Sequence, residues 1–245
     1  MADKLADHIQ GKSVSIAKKL GRAQEEIIDI YRKLTKGMST DEAITAINSI
    51  DTNKLMTLKT SGAIKDFIEA NTEMLKYQEF FTPIKEETLR ALLNSQTNYI
   101  NGYVKDYMGS NIKNEVISGI VNNKSTKEIK DAIYSAGFDP DKSLDKIIRN
   151  SMNQYSKGVT ARQALDAPKG TKYIYAGPVD NRTREVCLEY AALGGLTIKQ
   201  LNSKGLSLDS NGGWECRHKW RISVDPEAQG WKGDEANKLI KDKNG

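Results

Sequence analysis

The sequence predicts a mainly α protein in three parts: a multi-helix domain over residues 1–168, a small α+β module over 169–225, and a polar tail over 226–245. Three observations carry that reading. Apolar residues recur three or four apart, the helical spacing, between residues 13 and 165. After Pro168 and Gly170 the texture changes to short alternating stretches, with glycine pairs at 194–195 and 212–213. From Asp225 onward the chain is polar and glycine-bearing, a composition that orders only when something holds it.

The first helix is expected over 13–35. Ile16, Leu20, Ala23, Ile27, Ile30 and Leu34 form a heptad seam. Such a seam fits packing inside the protein, or docking on a partner helix through Leu20, Ile27, Ile30 and Leu34. Gly37 ends it, because glycine adopts the left-handed cap at little cost. MSTDEAITAI opens a second helix with a capping box, in which the Ser39 hydroxyl and the Glu42 carboxylate each satisfy one orphan amide. NKSTKEIKDAI repeats the device with Ser125 and Glu128. Two short helices of similar design are therefore expected, in a chain without the fixed period of a repeat protein.

Between them, residues 53–77 carry Leu55, Leu58, Ile64, Phe67, Ile68, Met74 and Leu75, with Gly62 as a weak point. Residues 82–108 predict a stronger helix: Thr82 as cap, Pro83 at the first helical position, and Glu86 and Glu87 at the positive end. Its apolar face ends in Tyr99, Tyr103 and Tyr107, read as a core or helix-contact stripe in preference to a stacking ladder for bases. Asp139 and Pro140 open the last long helix, which reaches Leu165. In the module, KYIYAG reads as a strand with Tyr173 and Tyr175 on one face, 180–192 as a helix capped by Asp180, GLTIKQLNS as another short helix, and 220–224 as a strand.

No stretch approaches the roughly 18–20 unbroken apolar residues of a membrane span, and MADKLADHIQGKS lacks the apolar block of a secretory signal. An intracellular, reducing setting is expected, where two cysteines do not make a disulfide framework. The net charge of +5 is spread among interleaved acids and bases. That pattern describes a solvated lysine-rich surface with weak, nonspecific affinity for nucleic acid at most. Phosphate-cradling glycine loops, zinc-finger cysteine pairs and RNA-binding aromatic motifs are missing.

The rare side chains gather in GGWECRHKW, residues 212–220, which holds one of two cysteines, one of two histidines and two of three tryptophans. Cys187 lies upstream in GPVDNRTREVC. Cys187, Cys216 and His218 supply three soft ligands for zinc, and Asp180 or Glu185 a fourth. Structural zinc sites commonly orient two ligands from one C-x2-C turn, and here only Cys216 and His218 are close in sequence. The competing readings are a buried cysteine pair with a hydrogen-bonded histidine, and a Cys–His dyad that needs hydrogen-bond reach and a depressed thiol pKa. No catalytic residue is assigned. Asp180 and Arg217 suit a bidentate clasp between the two segments, with Trp214 and Trp220 supplying apolar area on either side.

The ordered pair G-P-x-D-x-x-T-R-x-x-C and G-G-x-x-C-R-H-x-W resembles the C-terminal module of tailed-bacteriophage minor capsid proteins, the Mu F-like head morphogenesis family. The residues that carry the resemblance are Gly177, Pro178, Asp180, Thr183, Arg184 and Cys187, then Gly212, Gly213, Cys216, Arg217, His218 and Trp220. It extends over residues 145–224, including the preceding helix with Arg149 and Tyr155. Many members of that family place the histidine before the second cysteine. Here His218 follows Cys216, and Glu189 and Tyr190 stand where some members carry a further cysteine, which weakens any zinc site carried over.

The resemblance implies a virion protein without enzymatic activity, present in few copies in the phage head and made in the host cytoplasm. Its implied partners are the portal or the major capsid protein, with nonspecific contact to packaged DNA. The alternatives are a nucleic-acid-binding protein, or a metal-dependent hydrolase or nuclease built on Cys187, Cys216 and His218.

Overall fold

The computed structural model describes residues 2–77, 83–208, 210, 212–213 and 216–223. Thr82, Trp214 and the 226–245 tail lie outside these described residues. The chain is mainly α, with a small α+β part built on a three-stranded antiparallel sheet. The helices are α1 (Ala2–Leu34), α2 (Thr40–Ser49), α3 (Thr52–Met74), α4 (Glu86–Gly102), α5 (Ser110–Val121), α6 (Thr126–Ile133) and α7 (Asp145–Leu165). Then follow β1 (Lys172–Ala176), α8 (Glu185–Ala192), β2 (Leu196–Thr197), α9 (Ile198–Ser203) and β3 (Lys219–Ile222).

Two compact units divide the chain. One comprises residues 11–70 and 95–151; the other comprises residues 1–10, 71–94 and 152–245. The first unit is helical. Ile16, Leu20, Ile27 and Tyr31 from α1, Ile47 from α2, Phe67 from α3, Ile112 and Val116 from α5 and Ile133 from α6 are all buried in it. Leu20 and Ile27 are therefore occupied by the chain's own core and are not presented to a partner helix. Ile30 is half-buried, and of the seam residues proposed for docking only Leu34 is exposed. Both capping boxes are formed, at Ser39–Glu42 and Ser125–Glu128. Gly37 takes φ +80°, as a left-handed helix end requires.

Several boundaries differ from the sequence reading, each for a local reason. α1 starts at Ala2 because Leu5 and Ile9 continue the seam backward and are buried. Pro83 precedes the helix it was expected to open, since α4 begins at Glu86. Past Gly102 the hydrogen bonding widens to a π turn over Tyr103–Gly109. Tyr99 and Tyr107 are exposed, so they are not core, whereas Tyr103 is half-buried and packs against Phe138. Asp139 accepts the Asp141 amide with Pro140 at the first helical position, as its sequence suggests.

The second unit holds the sheet, in the order β2–β1–β3. Tyr173 pairs with Leu196 on one side and Ile222 on the other, and Tyr175 pairs with Trp220. Tyr173, Tyr175, Leu188, Leu201, Trp220 and Ile222 form its core, together with Cys187 and Cys216. α9 is stopped from fraying by a third capping box, Thr197–Gln200, which T-I-K-Q encodes.

Candidate functional site

The site is built on three pieces of the second unit: β1, the loop and helix that follow it, and the segment leading into β3. Strand alternation turns Tyr173 and Tyr175 to the same buried face. Gly177 and Pro178 end the strand, and an Asx-type turn follows. Asp180 accepts the Arg182 amide at 3.0 Å, and the Asp180 amide donates to the Thr183 hydroxyl at 2.9 Å. That hydroxyl donates in turn to the Pro178 carbonyl at 3.0 Å. Asp180 thus shapes the turn and does not cap α8, whose N-cap is Arg184.

Arg217 reaches across from the β3 segment and grips the Asp180 carboxylate with both guanidinium arms, at 2.8 and 2.6 Å. This is the two-loop clasp expected from sequence. The Arg217 hydrogen bonds hold the Asp180 carboxyl well below the usual carboxylate range, and the pairing raises Arg217 in return. Arg184 adds a second fastening by donating to the Gly212 carbonyl.

Beneath the clasp the two cysteines meet. Their sulfurs are 3.5 Å apart, and both are free thiols buried from solvent. Cys216 Sγ is ringed by donors: the Gly212 amide at 3.3 Å, the His218 amide at 3.4 Å and the Tyr175 hydroxyl at 3.2 Å. The Cys187 hydrogen bond, followed by those of His218 and Tyr175, lowers the Cys216 pKa. The same bond and burial raise Cys187. Burial, with two sulfurs at its hydroxyl, pushes Tyr175 far above the ordinary phenol.

His218 is also buried. Its ring stacks on Tyr175 at 5.5 Å with planes 8° apart, and its Nδ1 lies 4.0 Å from Cys216 Sγ. Its Nε2 has no hydrogen-bond partner among the described residues. Trp220 also packs on Tyr175, tilted, with ring centroids 5.1 Å apart. The motif glycines are sterically required. A Cβ at Gly212 would collide with the Cys187 sulfur, and one at Gly177 would press on the His218 ring and the Arg217 carbonyl. Gly213 takes φ +90°.

The structure therefore brings together Asp180, Thr183, Arg184, Cys187, Cys216, Arg217, His218 and Trp220. Sequence reasoning missed Tyr175, the residue on which the cluster is centred. Its one sequence signal is that it faces the core beside Tyr173 in KYIYAG. It also missed Lys219, a buried lysine whose ammonium donates to the Ser156 hydroxyl from α7.

As metal ligands, Cys187, Cys216 and His218 offer donor atoms within 4.8 Å of one another. Two thiolates on one zinc ion, at Zn–S distances of about 2.3 Å, stand under ~4 Å apart, so the sulfur separation fits. The amide donors to Cys216 are the outer-shell hydrogen bonds that a ligating thiolate uses. The fourth position proposed for Asp180 does not fit, because Arg217 holds both of its oxygens. Comparison of the chain with protein-family models, with curated proteins and with solved structures finds no match.

Proposed function

We propose that this protein is a minor head protein of a tailed bacteriophage, a non-catalytic virion component that docks at the portal vertex or inside the head. There it assists head assembly, DNA packaging or DNA exit. One observation carries the reading. The two segments that resemble that family are separate in sequence, yet the Asp180–Arg217 clasp and the Cys187–Cys216 contact join them into one element. A pattern whose members support one another in space is more specific than two short matches. The burial of both sulfurs speaks against their use as nucleophiles, which need access to substrate.

Co-expression with the portal and major capsid proteins of the phage that the reading implies tests it. Stable co-purification with the portal or with procapsids is the expected result. A chain that ignores both, with the partners correctly assembled, contradicts it.

The donor set favours a second reading of the cluster, as a structural zinc centre completed by a ligand beyond the three residues. Metal analysis of the purified protein tests it together with a melt in chelator. About one zinc per chain and a chelator-lowered Tm support the centre. Metal-free protein with an unchanged melt removes it, and with it a nuclease or hydrolase built on these three residues.

A further inference from the structure

The helical unit contains a duplicated hairpin. In the first copy the end of α1, a loop and α2 follow one another; in the second the end of α5, a loop and α6 do so. Corresponding residues keep one spacing throughout: Ser39 and Ser125 cap, Glu42 and Glu128 close the boxes, and Ile47 and Ile133 are buried. Two residues before each cap the chain takes a positive φ, +80° at Gly37 and +52° at Asn123. The copies also pack crosswise. α2 lies against α5, while Glu25 of α1 takes an ion pair from Lys130 and a hydrogen bond from Tyr134, both of the second copy. The first helix of each copy thus touches the other copy across the pair.

The two loops face each other across an open cleft of about 510 Å³. Its charged lining is all basic: Arg32 and Lys36 from the first copy and Lys124 from the second. No carboxylate lines the cleft among the described residues, although Asp41 and Glu42 follow Thr40 in sequence and Glu128 interacts electrostatically with Lys124; the Glu42 and Glu128 carboxylates are turned to their serine caps. Among the described residues no aromatic side chain lines it either, and these residues offer no platform for unpaired bases. What remains is a concave, cationic, sequence-blind surface shared by two loops.

We propose that this cleft is an anion site that takes the phosphate backbone of double-stranded DNA. Phosphate contact of this kind positions a duplex without reading its sequence, and weakens as added salt reduces the entropy gained from the counterions that binding releases. The inference does not depend on the phage reading, since the cleft belongs to the other compact unit and its test involves no head protein.

The test is fluorescence anisotropy with a labelled duplex of about 20 base pairs across a salt series. Wild type is compared with Lys36→Gln/Lys124→Gln and with Lys199→Gln/Lys204→Gln, a control of equal charge change on exposed lysines of the other unit. The cleft variant is expected to bind about tenfold or more weakly, with the log–log salt slope reduced by about two, and to melt like wild type. The control is expected to stay within about twofold of wild type. Equal losses in both variants would make the affinity diffuse and overturn the site, as would absence of duplex binding at low salt. Inorganic phosphate and single-stranded DNA of the same length are run alongside. Retention of either by the cleft, without binding of the duplex, would overturn the assignment to duplex DNA.

Discussion

Arg217 holds Asp180 by two parallel charge-assisted bonds, and Asp180 in turn fixes the tight turn at Arg182 and Thr183. Removing the arginine leaves a half-buried carboxylate without its main partner. With partial exposure discounting the charge term, Arg217→Ala is expected to cost about 1–2 kcal/mol in urea unfolding at pH 7. The pH dependence has a definite sign. The folded Asp180 carboxyl titrates below its unfolded value of about 4, so its contribution is complete above that pH and fades as pH falls through the folded value. The gap between wild type and variant should therefore narrow in strong acid; a gap constant from pH 7 to about 2 would refute the clasp as an electrostatic device. At this scale the sequence identified Cys187, Cys216, His218 and Arg217 because rare side chains cluster visibly. Tyr175 escaped because nothing in KYIYAG announces that its hydroxyl ends among two sulfurs and an amide.

At the scale of elements, helical spacing and capping boxes were readable because each depends on residues within a turn of one another. The heptad seam of α1 was equally readable, but its use was not, since spacing alone is the same for a core and for a docking face. Burial decides it at Ile27, which is 0% exposed, against Leu34 at 39%. Ile27→Asp should collapse the helical unit, a loss on the order of 3 kcal/mol or more seen as a lowered Tm, whereas Leu34→Asp should melt within a few degrees of wild type. Equal effects of the two substitutions would contradict the assignment of the seam to the core.

Strand β3 carries a second testable feature. Lys219 is buried beside Ser156, and burial, with Arg221 and Lys157 as neighbouring charges, sets its pKa well below the ordinary lysine value. Between that folded value and the unfolded value of about 10.4 the unfolded chain binds more protons, so Lys219 makes stability rise with pH. Lys219→Met is expected to raise stability at pH 7 by on the order of 1 kcal/mol and to remove that slope. A destabilised variant that keeps the wild-type slope would show that the ammonium is satisfied where it lies.

On the scale of the whole molecule, the division into an N-terminal helical part and a small α+β module was legible from the change of texture after Pro168. The compact units cut the chain differently, grouping residues 71–94 and 152–165 with the sheet, because chain order does not reveal which helices share a core. The hairpin duplication was visible only as two similar short stretches; its crosswise packing belongs to tertiary structure. No helix among the described residues is long and apolar enough to cross a membrane.

The proposed role makes a claim about where the molecule ends up. The measurement that tests it most directly is quantitative mass spectrometry of purified particles from the host that carries this gene, with the major capsid protein as internal standard. The account predicts this chain in the particles at a small fraction of the capsid-protein copy number, retained through a high-salt wash. Particles that are complete and infectious without it would contradict the account.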